Sequence, residues 1–183
     1  MRLALHLAAA LVLAAAGCSG GSRAPAAPPA PAAEPPRDPL AADQLMADVA
    51  WMCAPERAGR GSYQPGGVAT ADYIARAFED AGLEVVRQPI AGGVDNVIGI
   101  KRGGPQAVLV SAHYDHLGVD RQGRVFPGAD DNASGAAVLL GLARAAARRS
   151  FRHTVLFVAF GAEEAGLVGS GVYVSRPTWP LDR

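Results

Sequence analysis

Apolar and polar positions along the chain follow two different periods, which predict an ordered series of helices and strands. Between residues 40 and 81, apolar side chains recur every three or four positions, the spacing of one face of a helix. The first such helix presents Leu45, Met46, Val49 and Met52. The second is expected over Thr70 to Ala81, with Gly82 as its C-terminal stop. The stretch APERAGRGSYQPGG between them is dense in Gly and Pro and predicts a loop.

After residue 82, short apolar runs replace the helical spacing. LEVVRQPI, NVIGI and AVLVSAH predict three strands, a helix is expected over Ala133 to Arg149, and TVLFVAF predicts a further strand. AVLVSAH and TVLFVAF are almost continuously apolar and are separated by that helix, which is typical of buried strands in a parallel sheet. The pattern therefore predicts an α/β fold with a mixed, largely parallel sheet flanked by helices.

The first residues follow neither period and predict an export signal. Arg2 is followed by an apolar run, Leu3 to Ala16, and then by Gly17 and Cys18. The run has 14 residues, whereas a membrane-spanning helix needs about 20. Because small residues lead directly to a cysteine, we interpret residues 1–17 as a lipoprotein signal, after which Cys18 is lipidated and becomes the N-terminus. The alternative is an ordinary secretory signal with a cysteine near its cleavage point.

Residues 18–39 are rich in Pro and Ala and are interpreted as an extended linker, because such a segment cannot bury enough surface to fold. They predict a tether between a membrane anchor and a domain over residues 40–183, and hence an exported cell-envelope lipoprotein. The chain has 17 basic and 17 acidic residues, so we expect no binding of nucleic acid through bulk charge.

Ionisable residues follow the two buried strands and begin the helix between them. They are His113, Asp115, Asp130, Asp131, Glu163 and Glu164. Because ligands gather beyond the C-terminal ends of parallel strands, we expect these side chains to lie at one edge of the sheet. The adjacent carboxylates of Glu163 and Glu164 repel each other, and burying either one unpaired would be costly. A metal ion is the expected positive partner.

Imidazole and carboxylate donors without a thiolate suit Zn²⁺, with Co²⁺ or Mn²⁺ as alternatives. His113 is a candidate ligand, and Asp115 is placed to accept the N–H of its other ring nitrogen. One glutamate of the adjacent pair could bind the metal while the other serves as a general base. Neither two-residue pattern is specific by itself.

Three longer motifs are specific when they are taken together. HYDHLG at 113–118, PGADDNASG at 127–135 and AFGAEEAGLVGS at 159–170 closely resemble the co-catalytic zinc aminopeptidases. These metallo-exopeptidases belong to clan MH, with glutamate carboxypeptidases and, more distantly, glutaminyl cyclases as relatives. The resemblance runs from about residue 45 to residue 175 and corresponds to the N-terminal part of the family's domain.

The resemblance implies a complete site with two zinc ions and hydrolysis of peptide bonds by a water activated between them. His113 would bind one zinc, Asp131 would bridge both, and Glu164 would bind the second. Asp115 would orient His113, and Glu163 would be the general base.

The sequence departs from the family's pattern after the third motif. The family uses two more ligands, an Asp on the next strand and a His far downstream, and neither is apparent before Arg183. We therefore expect a domain truncated at its C-terminus, whose last strand would form an unpaired apolar edge. His116, inside the first motif, is interpreted as a structural residue or as the partner of a ligand.

Three functions remain open on this sequence. The leading hypothesis is a lipid-anchored aminopeptidase that acts on peptides. A related carboxypeptidase or glutaminyl cyclase activity on the same scaffold is the second. The third, from a different class, is a non-catalytic surface lipoprotein that binds peptides.

Overall fold

The structure is a computed structural model that describes residues 38–183. The helices are α1 (Ala42–Cys53), α2 (Pro65–Asp80), α3 (Gly135–Ala147) and α4 (Val168–Ser175). The strands are β1 (Glu84–Pro89), β2 (Asp95–Lys101), β3 (Gly104–His113), β4 (Gly118–Val119), β5 (Val125–Phe126) and β6 (His153–Phe160). A 3₁₀ turn over Pro55–Arg60 and a wide turn over Ala129–Ser134 connect them. The predicted signal peptide, the Cys18 lipidation site and nearly all of the linker lie outside the described residues.

The main sheet has four strands in the order β1-β2-β6-β3. β1 pairs with β2 and β2 with β6 in antiparallel fashion, whereas β3 and β6 are parallel, with Leu109 opposite Leu156. The prediction of a mixed sheet is confirmed, but the expectation that it is largely parallel is wrong for residues 38–183, where two of the three strand pairings are antiparallel. The one parallel pair consists of the two apolar runs expected to be parallel. β4 and β5 form a separate two-stranded hairpin.

Helices cover both faces of this sheet. On one face, apolar residues of α1, α2 and α3 pack against Val97 of β2 and Phe157 of β6. On the other face, Tyr173 of α4 packs against Ile98 and Leu156, the sequence neighbours of those strand residues. Successive side chains of a strand point to opposite faces of the sheet, and here helices cover both faces. This explains why β2 and β6 are apolar along nearly their whole length.

The position of β6 differs from the expectation for the end of the sheet. β6 lies between β2 and β3, so the last strand of the sequence is an interior strand. Within residues 38–183 the two edge strands are β1 and β3, and on β3 Val108 is 52% and Leu109 is 42% exposed. The strands do not lie in the sheet in the order of the sequence. Apolar runs do not reveal the order in the sheet, because a buried strand has the same pattern wherever it lies.

Two helix boundaries also differ from the predictions. α2 begins at Pro65 rather than Thr70, because proline occupies the first turn of the helix, where its missing N–H costs nothing. Gly66 and Gly67 fill the same turn, where an added Cβ would overlap the carbonyl groups of Arg57 and Gly61. α3 is confined to Gly135–Ala147, since the residues before it form the turn of the candidate site.

A buried polar network connects the first three helices. The carboxylate of Asp48 in α1 is almost inaccessible to solvent and accepts two hydrogen bonds from the Arg144 guanidinium of α3, at 2.6 and 2.9 Å. The Tyr73 hydroxyl of α2 donates a third at 2.6 Å. Within residues 38–183, no helix is long and apolar enough to cross a membrane.

Candidate metal centre

The predicted site residues meet at one end of the parallel pair. The register places His113, the last residue of β3, opposite Phe160, the last residue of β6. The segments that follow the two strands therefore leave the sheet side by side, as parallel strands require. The turn over Ala129–Ser134 lies against them and brings Asp131 to the same place.

His113 contacts Asp131 through one ring nitrogen and faces Asp115 through the other. Its Nε2 lies 3.2 Å from Asp131 Oδ1. Its Nδ1 lies 3.3 Å from the backbone carbonyl of Asp115 and 3.8 Å from that residue's carboxylate, so the hydrogen-bonding partner is the carbonyl. Glu163 Oε2 lies 4.0 Å from the same Nδ1. The pKa of His113 is raised, above all by Asp115 and against the effect of burial, with Glu163 and Asp131 adding to the rise.

His116 lies on the other side of Asp131 and contacts Glu164. Its Nδ1 is 2.7 Å from Glu164 Oε1 and 4.0 Å from Asp131 Oδ2. One donor atom from each of these three residues lies within 4.8 Å of the others, which is a metal-sized cluster. Sequence reasoning assigned His116 no ligand role, because the sequence did not show that Glu164 would fold back onto it.

Asp115 is buried and holds the backbone of the glutamate pair. Its carboxylate accepts the Ser62 hydroxyl and the backbone N–H groups of Glu163 and Glu164, the latter two at 3.0 and 3.3 Å. Burial disfavours the charge, yet His113 and these hydrogen bonds together keep the pKa of Asp115 below its ordinary value. The aspartate therefore stays ionised and fixes the turn from which both glutamate side chains project.

Arg60 lies beneath the site with no exposed surface, and sequence reasoning missed it. Its guanidinium donates to the backbone carbonyls of Tyr114 at 3.0 Å, Pro127 at 2.5 Å and Gly128 at 2.7 Å. Burial lowers the pKa of this arginine. An arginine in a Gly-rich loop resembles a surface residue in the sequence, so no signal there indicated that it joins two of the three motifs.

The turn before α3 places Asp131 outside the helix that follows it. Asp131 has non-helical backbone angles, and its peptide bond to Asn132 is cis. Asn132 Oδ1 accepts the Gly135 N–H at 3.0 Å and so caps the start of α3. Asp130 is exposed, and its backbone carbonyl accepts the Ser134 hydroxyl at 2.8 Å. Of the two adjacent aspartates, Asp131 is the one that reaches the histidines.

The donor set fits zinc. Imidazole nitrogens and carboxylate oxygens are zinc's usual non-thiolate ligands. The four carboxylates of Asp115, Asp131, Glu163 and Glu164 crowd around two histidines, and a divalent cation would offset their mutual repulsion. A cleft of about 240 Å³, lined in part by Tyr63 and Leu117, opens beside this cluster.

Comparison with known proteins relates part of the chain to a peptidase family. Residues 96–183 match peptidase family M28. Aminopeptidase YwaD of Bacillus subtilis is 43% identical over 85 residues, which are 44% of this chain and 17% of YwaD. Leupeptin-inactivating enzyme 1 of Streptomyces exfoliatus is 32% identical over 183 residues, which are 93% of this chain and 40% of that enzyme.

Among solved structures, the Legionella pneumophila LapA aminopeptidase has the same fold. It matches with a TM-score of 0.67 at 23% identity, over 74% of this chain and 38% of LapA. The chain thus spans less than half the length of each of these proteins. The segment that matches peptidase family M28 contains all three motifs that form the cluster.

Proposed function

We propose that this chain forms the metal-binding and proton-transferring part of a zinc-dependent aminopeptidase. The observation on which the proposal mainly rests is the position of Asp131, whose two oxygens face two different histidines. A carboxylate in that position suits a bridge between two metal ions. When bound, zinc would lower the pKa of a water toward about 7 and polarise the scissile carbonyl.

The chain's own residues have separate tasks in this proposal. His113, Asp131 and Glu164 bind the metal ions. Glu163 accepts a proton from the attacking water and transfers it to the leaving amine. Its carboxylate is partly exposed while its backbone N–H is fixed by Asp115, so the group is both accessible and positioned. Asp115 fixes the backbone of Glu163 and Glu164 in position relative to His113.

One of the two metal positions would need a further ligand besides the residues named above. Zinc sites in enzymes usually have three protein ligands. His113 and Asp131 alone would give one of the two metal positions only two.

Glu163→Gln tests the catalytic part of the proposal. The zinc-loaded protein is expected to hydrolyse leucine p-nitroanilide but not its N-acetylated form, because an aminopeptidase requires a free amine. The substitution removes the proton acceptor and is expected to lower kcat by about 10²- to 10⁴-fold while zinc binding remains. Glu79→Gln, an exposed position on α2, is the matched control and should leave kcat unchanged.

Other outcomes would redirect the assignment. Equal hydrolysis of both substrates would contradict aminopeptidase specificity. Zinc binding with retention of peptides but no turnover would favour the peptide-binding lipoprotein. No zinc binding at all would contradict the metal centre itself.

We also propose that Cys18 attaches the protein to the cell envelope through a lipid. The support is the signal-like sequence of residues 1–17, followed by a Pro- and Ala-rich linker. Labelling cells with radioactive palmitate is expected to mark the wild-type protein and the Cys53→Ser control, but not Cys18→Ser. Unlabelled wild-type protein released into the medium would indicate an ordinary secretory signal instead.

A further inference from the structure

We propose that His116 is a metal ligand, completing a three-residue position with Asp131 and Glu164. The inference rests on the proposed zinc function and extends it to a residue that neither the motif resemblance nor the comparisons assign. In this arrangement each metal position has its own histidine, and Asp131 lies between the two.

The distances fit a cation among the three residues. Zinc with bonds of about 2.0–2.1 Å in tetrahedral geometry keeps its ligand atoms about 3.3 Å apart. His116 Nδ1 lies 2.7 Å from Glu164 Oε1 and 4.0 Å from Asp131 Oδ2. The first distance is shorter than the separation of ligand atoms around zinc, and the second is longer by a similar amount. Small side-chain rotations would bring both distances to that separation.

Two carboxylates lie near the same ring nitrogen of His116, and a hydrogen bond joins that nitrogen to only one of them, Glu164. An imidazole nitrogen carries at most one proton, and its N–H points in one direction. Oxygens of Asp131 and Glu164 converge on Nδ1 from different segments of the chain. A cation placed among the three atoms interacts favourably with all of them, whereas a single proton joins only two.

The His116 ring is held in place from several sides. Its side chain is 11% exposed, and its backbone N–H donates to the Arg60 carbonyl at 3.1 Å. An added Cβ at Gly128 would overlap the ring, so this glycine is required for the ring to lie where it does. Arg60 in turn binds the Gly128 carbonyl at 2.7 Å. The same buried arginine therefore fixes the histidine and the glycine beneath it, and such preorganisation favours metal binding.

The arrangement also gives the second metal position enough ligands. Asp131 offers Oδ1 toward His113 and Oδ2 toward His116, so its two oxygens serve separate positions. With Glu164 and His116, the second position has three protein ligands from this chain, the number that catalytic zinc sites commonly use.

The test must separate a ligand from a hydrogen-bond donor to Glu164. His116→Asn places an amide N–H near the former Nδ1 and keeps donation, but it supplies no imidazole. His116→Ala removes both functions, and His153→Asn, at the start of β6 and outside the cluster, is the matched control. Zinc affinity would be measured by calorimetry on the full chain, and ¹⁵N NMR would follow the His116 ring nitrogens during zinc addition.

We expect both His116 variants to lose about 100-fold or more in zinc affinity at one position, since they lose a direct ligand. We also expect the His116 Nδ1 resonance of the wild type to shift as zinc is added. If His116→Asn binds zinc with wild-type affinity, or if the Nδ1 resonance does not shift while zinc binds, His116 is not a ligand. Neither result would contradict the metal position at His113. Failure of the wild-type chain to bind zinc would instead overturn the proposed function.

Discussion

At the scale of single residues, Arg60 connects parts of the chain that supply different site residues. Its guanidinium donates to carbonyls that precede Asp115 and Asp131, while its own carbonyl accepts the N–H of His116. Removing a cation from water costs free energy, and hydrogen bonds to the carbonyl groups offset that cost only when all of the bonds form. The arrangement links the stability of the fold to the geometry of the metal ligands.

Replacing Arg60 with methionine is expected to lower the free energy of unfolding by about 3 kcal/mol. The variant keeps the apolar stem but leaves several buried carbonyl groups without donors, each a penalty of about 1–3 kcal/mol. Urea unfolding measures the change. Arg124→Met, an arginine whose side chain is 72% exposed, is the matched control and should stay near the wild type. Equal stability of the two variants would contradict the role of Arg60.

At the scale of elements, the turn between β5 and α3 determines where Asp131 and His116 meet. Gly128 has φ +60° and lies against the His116 ring and the Asp131 carbonyl. Only glycine meets both requirements, since any other residue adds strain at this φ and a Cβ in occupied space. The turn can therefore position the site only if Gly128 remains glycine.

Gly128→Ala is expected to lower zinc affinity about tenfold or more, because the new methyl group displaces the His116 ring or the Asp131 backbone. Gly123→Ala is a closely matched control. It also has a left-handed φ, +79°, but no atom lies within 4 Å of its added Cβ. Both variants should lose about 1–2 kcal/mol of stability from backbone strain, whereas only Gly128→Ala should lose zinc affinity. A similar loss of affinity in both would mean that strain alone explains it.

At the scale of the whole molecule, the sequence predicted α1, α2, α3 and the four strands of the main sheet, but not α4, the β4–β5 hairpin or how distant segments meet. The two parallel strands and the three motif segments were recognisable from apolar runs and from residue types. The burial of Asp48 was not recognisable, because a carboxylate interrupts the apolar face of α1. Met46 was expected on that face and is instead 62% exposed. The roles of Arg60 and His116 depend on contacts between distant segments, which no local period encodes.

The position of β3 leads to a prediction about association. Its parallel partner β6 covers one side, and the Ala107 N–H donates to the Arg183 carbonyl at 2.7 Å. From Val108 onward, no strand within residues 38–183 pairs with its outer side. An exposed apolar edge offers backbone groups to a second strand, so copies of this chain are expected to associate through β3.

Val108→Lys is expected to shift the chain toward the monomer, because a lysine on an edge strand discourages pairing with another copy. Val68→Lys is the control, since it places the same charge at an exposed valine on α2, a helix that packs against β1 and β2. Light scattering coupled to size-exclusion chromatography would measure the mass of each variant at several concentrations. If both variants dissociate the chain equally, added net charge is the cause and not the edge. If wild type and Val108→Lys have the same concentration-dependent mass, β3 is not the contact, and association must involve another surface.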